Sequence, residues 1–251
     1  MENLALWEYI FIGFVFVWGG FVRSGLGFGG AALTLPLLLL VLDNPVYILP
    51  VIAVHLLFFG GLTVGTNLQH VDWGYLGKSL LIMMPGKIIG VLGLLTLPGY
   101  MLAWMVYAMT AVYAVMYIRG KHWHSSSAWG DAALLSFGAY VSGVSLIGAP
   151  IIITVYARHV AQNQLRETLF VLWIVLVLIK LGAFVATDTD LQLIHHLWLL
   201  PCAAIGHVLG LRLHKRLMEM DRKHFMRVIG YALLAITVVG VVHTSTGLMV
   251  S

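Results

Sequence analysis

The segment 24–30, with the sequence SGLGFGG, is the part of the chain best suited to hold an anion. Its glycines leave backbone N–H groups without helical partners, and such groups can converge on an anion beside a helix N-terminus. Arg23 stands immediately before it, and an arginine inside an apolar block is costly enough to indicate a functional site. The alternative is that the glycines only allow close helix packing. The candidate anion-binding residues here are Arg23, Ser24, Gly25, Gly27, Gly29 and Gly30.

A second segment of the same character, SGVSLIGAP, covers residues 142–150. It offers the hydroxyl groups of Ser142 and Ser145 and the backbone at Gly143 and Gly148. Taken alone, the segment is best explained by helix packing. Its place in an internal repeat, described below, makes it the candidate second half of the anion site.

Four further basic or titratable residues fall inside apolar blocks. Lys87 follows Pro85 and Gly86 and is a candidate for attracting an anion. His55 and His207 are candidates for proton coupling, because histidine titrates near neutrality, although a buried histidine also serves structural purposes. For Lys180 we expect a side chain that extends towards the membrane interface.

Motifs for enzymatic chemistry are missing from the sequence. There is no HExxH pair, no CxxC and no GxSxG, and SGLGFGG is not followed by the residues that nucleotide loops require. The sequence therefore predicts no catalytic residues, no metal and no cofactor, and a protein that is not an enzyme.

The composition indicates where these residues must sit. Of 251 residues, 61% are hydrophobic and 10% are charged, whereas soluble domains carry about 45–50% and about 25%. This excludes a soluble enzyme and a nucleic-acid-binding domain, and predicts an all-α polytopic membrane protein with the lipid bilayer as a partner. The eight apolar blocks are roughly 7–42, 45–66, 76–97, 101–118, 130–157, 165–186, 192–211 and 225–247.

Two of these blocks are too long for one span, and the segments described above interrupt them. They align at an offset of 118 residues: Gly20, Ser24, Gly25, Gly30 and Ala31 match Gly138, Ser142, Gly143, Gly148 and Ala149. We therefore predict two repeats, 1–118 and 130–251, joined by a cytoplasmic linker at 119–129. Each repeat consists of a broken re-entrant helical hairpin and three transmembrane helices.

The charged loops predict the orientation of the repeats. Lys and Arg concentrate in 119–121, 158–166 and 212–227, whereas 43–45 and 187–190 carry acids only. If basic loops face the cytoplasm, each repeat makes an odd number of net crossings, so the second repeat is inverted and both termini are external. Inverted repeats of this kind bind substrate near the midplane at discontinuous helices.

The chain resembles the TauE/SafE sulfite exporter family, also called the toluene sulfonate uptake permease family. The resemblance rests on GFVRSGLGFGGAALTLPLL, on GAYVSGVSLIGAPIIITVY, and on PGKIIGVLG with its echo PCAAIGHVLG. It implies a carrier of sulfur-containing anions such as sulfite and sulfoacetate. It also implies that Gly25, Gly27, Gly29 and Gly30 shape one half-site and Ser142, Gly143 and Gly148 the other. Ser145 and Ile147 depart from the pattern, since they stand where the first repeat has Gly27 and Gly29.

We therefore expect a secondary active transporter of the cytoplasmic (inner) membrane. It would export sulfite or an organosulfonate by alternating access, with the anion held between the two broken helices. The alternatives are a passive anion channel and an intramembrane lipid-modifying enzyme. The sequence leaves open whether the chain forms a homodimer.

Overall fold

The computed structural model describes residues 4–26, 30–42, 44–65, 67–120, 124–125, 127–219 and 222–250, without the side chains of 26, 214–219, 222–223 and 246–250. This part of the chain contains ten α-helices, one 3-10 turn at Leu68–His70 and no strand. The helices are α1 (Leu6–Leu26), α2 (Gly30–Leu38), α3 (Pro45–Val64), α4 (Trp73–Thr96), α5 (Gly99–Arg119), α6 (Ala128–Ser145), α7 (Ala149–His159), α8 (Gln162–Ala186), α9 (Leu193–Glu219) and α10 (Arg222–Val250).

Seven helices in the described residues are long and apolar enough to cross a membrane: α1, α3, α4, α5, α8, α9 and α10. The shortest helices are α2 and α7, with 9 and 11 residues. At 1.5 Å per residue they extend only about 14 and 17 Å, roughly half of the hydrocarbon thickness. The chain is thus an all-α polytopic membrane protein, as the composition predicts.

Both long apolar blocks are broken as predicted. The first divides into α1 and α2, and the residues between them, 27–29, lie outside the described part. The second divides after Ser145, where Leu146 adopts a left-handed conformation (φ 63°) and donates its N–H to the carbonyl of Ser142 at 3.1 Å. Gly148 then precedes α7, and Pro150 lies in its first turn. A left-handed residue followed by glycine and proline ends one helix and starts another.

The predicted loop at 212–227 is wrong in most of its length. Helix α9 continues to Glu219 and α10 begins at Arg222, so the basic residues of this segment extend two apolar helices. The reason is local: between Leu211 and Lys223 there is neither glycine nor proline, and Leu, Arg, Lys, Met and Glu are all strong helix formers.

The helices pack into two compact units. Unit one comprises Met1–Ile48, Leu97–His122 and Gln192–Ser251. Within it α1 packs along α9 and α5 packs along α10. One apolar cluster joins α1, α2, α5 and α10, with the buried members Val22, Leu33, Ala114, Ile229 and Leu233.

Unit two comprises Leu49–Thr96 and Trp123–Leu191. Here α4 packs along α6, and α7 and α8 complete the unit together with most of α3. Its apolar cluster includes Met83 of α4, Ala139 of α6 and Leu176 of α8. Each unit contains helices from both predicted repeats, so the packing units do not coincide with the repeats. The inverted relation of the repeats stays a prediction.

Candidate functional site

Lys87 is a fully buried basic residue in unit two. It lies 14 residues after the start of α4, or about 21 Å along the helix, and its Nζ donates to the carbonyl oxygen of Ser142 at 3.1 Å and to the Ser142 hydroxyl at 3.3 Å. Ser142 is in the last turn of α6, where the helix dipole favours a positive charge. The break after α6 thus gives Lys87 a carbonyl and a hydroxyl oxygen in the apolar interior.

Two glycines bring Lys87 and Ser142 together. A Cβ atom built on Gly143 would lie 2.7 Å from the Cα of Gly90 and 2.8 Å from the carbonyl oxygen of Lys87. The backbones of α4 and α6 therefore touch, which only glycine permits at both positions. Gly143 has the packing role that the sequence left open as the alternative to anion binding.

Gly148 has a similar effect on the other side of Ser142. A Cβ at Gly148 would meet the carbonyl oxygen of Gly138 and would lie 2.9 Å from the amide nitrogen of Ser142. The start of α7 therefore returns directly against α6. The same approach of the two helices restricts position 138, where a Cβ would lie 2.7 Å from Cγ1 of Ile152.

Lys180 does not extend to the membrane interface, and that expectation is wrong. Its side chain is fully buried, and its Nζ has no hydrogen-bond partner among the described residues. Leu176 and Phe184, four residues before and after it, are also buried, so Lys180 lies on the inward face of α8. Because nearly every residue around Lys180 in α8 is apolar, the sequence does not show which face of this helix points inward.

Among the residues that the structure describes, no carboxylate accompanies these basic side chains in the interior. The buried polar residues of the described chain include Arg23, Lys87 and Lys180 but neither aspartate nor glutamate. The described acids lie towards helix ends or in loops: Glu8, Asp72, Asp131, Glu167, Asp188 and Asp190. Since an uncompensated buried charge is strongly unfavourable, an excess of buried cations favours the binding of an anion.

Ser24 and His207 form the central contact of unit one. The Ser24 hydroxyl lies 2.5 Å from Nδ1 of His207, which connects the last turns of α1 with the middle of α9. Close packing of α1 on α9 holds the pair: a Cβ at Gly206 would meet the carbonyl oxygen of Val17, and one at Gly210 would lie 3.0 Å from the Cβ of Ser24. The contact therefore joins a hydroxyl group of one helix to an imidazole ring of the other.

Arg23 and the start of α2 belong to the same region of unit one. Arg23 is buried in the last turn of α1. A Cβ at Gly30, the first residue of α2, would lie 2.9 Å from the Cβ of Arg23, and the amide nitrogen of Gly25 would lie 2.8 Å from a Cβ at Gly210. The structure therefore brings Arg23, Ser24, Gly25, Gly30 and His207 together, whereas the predicted site residues Gly27 and Gly29 lie outside the described residues.

Two other candidates direct their polar groups to their own helices. The Ser145 hydroxyl donates to the carbonyl oxygen of Val141 at 2.9 Å. Nδ1 of His55 lies 2.7 Å from the carbonyl oxygen of Val51, so this nitrogen donates to the backbone. Both contacts stabilise buried polar groups locally. Neither contact brings these side chains to the residues described above.

In the described part of the chain, no three residues among His, Cys, Asp and Glu are grouped so that they could hold a metal ion. The polar chemistry of the interior is that of ammonium, guanidinium, hydroxyl and imidazole groups. These groups bind anions and exchange protons.

Comparison with known proteins identifies a family. The profile of the family described as "Sulfite exporter TauE/SafE" matches residues 11–240, which is most of the chain. Among curated proteins and among solved structures, no significant match was found.

Proposed function

The chain belongs to the TauE/SafE sulfite exporter family, and from this membership we propose that it is a secondary active transporter of a sulfur-containing anion. The substrate would be sulfite or an organosulfonate such as sulfoacetate, moved in the direction of export. The family is one of sulfite exporters, and the seven apolar helices make the chain a multi-pass membrane protein.

The observation that carries the proposal is the environment of Lys87. This ammonium group is buried, is hydrogen-bonded to the carbonyl and hydroxyl oxygens of Ser142, and has no buried carboxylate near it in the described chain. Sulfite and sulfonate groups present three oxygens that accept hydrogen bonds, so one anion can bind the ammonium group and the Ser142 hydroxyl together. In this interpretation the anion supplies the missing negative charge.

Alternating access fits the position of these residues. Lys87 lies about 21 Å from the start of α4 and about 14 Å from its end, and Ser142 precedes the break between α6 and α7. Transporters built on inverted repeats bind their substrates at such discontinuous helices near the middle of the bilayer. We propose that Arg23 and the start of α2 bind the anion in the same manner in unit one.

A proton gradient is the proposed driving force, and His207 is the proposed coupling residue. Its hydrogen bond to Ser24 joins a group that titrates near neutrality to the broken helix pair α1–α2. His55 is the weaker candidate because its Nδ1 donates to the backbone of its own helix.

Flux into liposomes tests the function. Liposomes that contain the purified chain should take up labelled sulfite or sulfoacetate faster than empty liposomes. The uptake rate should saturate with substrate concentration, and the liposomes should show counterflow exchange. The variant K87M should lose about 90% or more of this flux, because it removes a charge-assisted contact. K78M is the matched control, since Lys78 is an exposed residue of the same helix. Flux no faster than in empty liposomes would refute the proposal, and flux without saturation or counterflow would instead indicate a passive channel.

A further inference from the structure

Two buried lysines approach each other in unit two. The backbone N–H of Asp72, just before α4, donates to the hydroxyl of Thr168 near the start of α8 at 2.9 Å. Further along both helices, Met83 and Leu176 belong to one apolar cluster. Helices α4 and α8 therefore pack against each other, and Lys87 and Lys180 lie four residues after Met83 and Leu176.

Lys87 and Lys180 lie near enough for a charge on one to oppose a charge on the other. Both side chains are fully buried. Lys87 is hydrogen-bonded to Ser142, whereas Nζ of Lys180 has no partner among the described residues. An ammonium group without a partner in an apolar interior is strongly unfavourable, and a second like charge nearby increases the cost.

From this juxtaposition we propose that Lys180 is a second anion-binding residue, which with Lys87 makes the site in unit two selective for anions that carry two negative charges. The proposal rests on the proposed function and specifies its substrate class. A dianion can neutralise both lysines and accept hydrogen bonds from both ammonium groups and from the Ser142 hydroxyl. A monoanion would leave one positive charge uncompensated in the interior.

Binding measured at one pH tests the charge selectivity. The purified full-length chain is titrated calorimetrically at pH 8 with three probes: sulfite and sulfoacetate as dianions and methanesulfonate as the monoanion. Wild type should bind the dianions about tenfold or more tightly than methanesulfonate. In K180M the affinity for the dianions should fall at least about tenfold, while the affinity for methanesulfonate changes less than about threefold.

Controls separate a binding role from a structural one. K180M and K180Q must both elute as the wild type does on size exclusion, and K180Q covers the case in which methionine alone disturbs folding. K78M, which removes an exposed lysine of α4, should leave the preference for dianions unchanged. A merely structural Lys180 would alter the affinity for all three probes equally or for none, and that result would overturn the proposal.

The same measurements distinguish a failure of the proposed function from a failure of the role of Lys180 alone. If wild type neither binds nor transports any of the three anions, the proposed function and this inference both fail. If wild type binds and transports dianions but K180M and K180Q keep the same preference, only the role of Lys180 fails.

Discussion

Nδ1 of His207 lies 2.5 Å from the hydroxyl oxygen of Ser24, although 183 residues separate them in the sequence. Ser142, 118 residues after Ser24, forms the equivalent contact with Lys87 in unit two. In each case a serine near the end of the first helix of a broken pair meets a basic side chain from a long helix that contains an internal proline. The two units therefore use one arrangement with different basic residues.

Removing either partner of the contact in unit one should reduce transport. We expect S24A and H207A each to lower sulfite flux about tenfold, because each removes the hydrogen bond between Ser24 and His207. S245A is the matched control, since the Ser245 hydroxyl donates to the carbonyl oxygen of Val241 in its own helix. Initial rates in proteoliposomes measure the effect. Wild-type rates in both S24A and H207A would exclude the pair from the transport pathway.

The two buried serines of α6 give a sharper comparison. Ser142 directs its hydroxyl to Lys87, whereas Ser145, three residues later, directs it to the carbonyl oxygen of Val141. We expect S142A to weaken sulfite binding about tenfold or more, the value of one hydrogen bond to a charged group, and S145A to change it less than twofold. Calorimetric dissociation constants test this. Equal effects of the two substitutions would show that the site does not use the Ser142 hydroxyl.

The sequence was sufficient to predict the elements that break and the residues around the breaks. Glycine and serine at 24–30, and glycine, serine and proline at 142–150, interrupt apolar blocks, and this conflict is visible without a structure. The candidates Arg23, Ser24, Lys87 and Ser142 all lie at these breaks or pack against them. Local chemistry decides such features, so local sequence reveals them.

The pairing of distant side chains could not be predicted in the same way. The sequence marks His207 as a candidate only because histidines in general titrate near neutrality, and nothing in the sequence connects it with Ser24. Lys180 was expected at the interface because lysines near helix ends usually extend there, but its neighbours Leu176 and Phe184 place it in the core. Such contacts depend on which helices pack together, and α1 packs on α9 whereas α4 packs on α6.

The glycine contact between α4 and α6 should be essential for stability. In G90A the new methyl group would meet the carbonyl oxygen of Tyr140 and the Cα of Gly143, which costs about 1–3 kcal/mol as overpacking. G77A is the control in the same helix, because a Cβ there has no atom within 4 Å and alanine raises helix propensity by up to about 1 kcal/mol. Melting in detergent should therefore show G90A below wild type and G77A at or above it. A melting temperature for G90A that equals that of G77A would contradict the direct contact.

Asp131 lies outside the seven apolar spans. Its carboxylate gives unit two a contribution to stability that depends on pH. Its carboxylate accepts hydrogen bonds from Arg158 at 2.6 Å and from His159 at 2.7 Å. Burial acts to raise the pKa of Asp131, but the hydrogen bonds from His159 and Arg158 and the charge of Arg158 outweigh it and lower the pKa below its ordinary value.

A lowered pKa in the folded state fixes the sign of the effect. The stabilisation is fully present above the unfolded value of about 3.9 and is lost as the pH falls through the folded value. D131N should therefore melt below wild type at pH 7, and the difference between the two melting temperatures should shrink as the pH falls below about 4. A difference that stays constant down to pH 3 would show that the carboxylate charge is not responsible.

The final prediction concerns the orientation of the two repeats. Because Lys and Arg concentrate in 119–121, 158–166 and 212–227, we expect these segments in the cytoplasm and both termini outside. A reporter that is active only outside the cytoplasm should be active when fused after Ser251 and inactive when inserted in the linker 119–129. A reporter that is active only in the cytoplasm should give the reverse. If the linker and the C-terminus lie on opposite sides, the second repeat makes an odd number of net crossings, which an inverted copy requires. If both lie in the cytoplasm, that number is even, and the inverted arrangement is excluded.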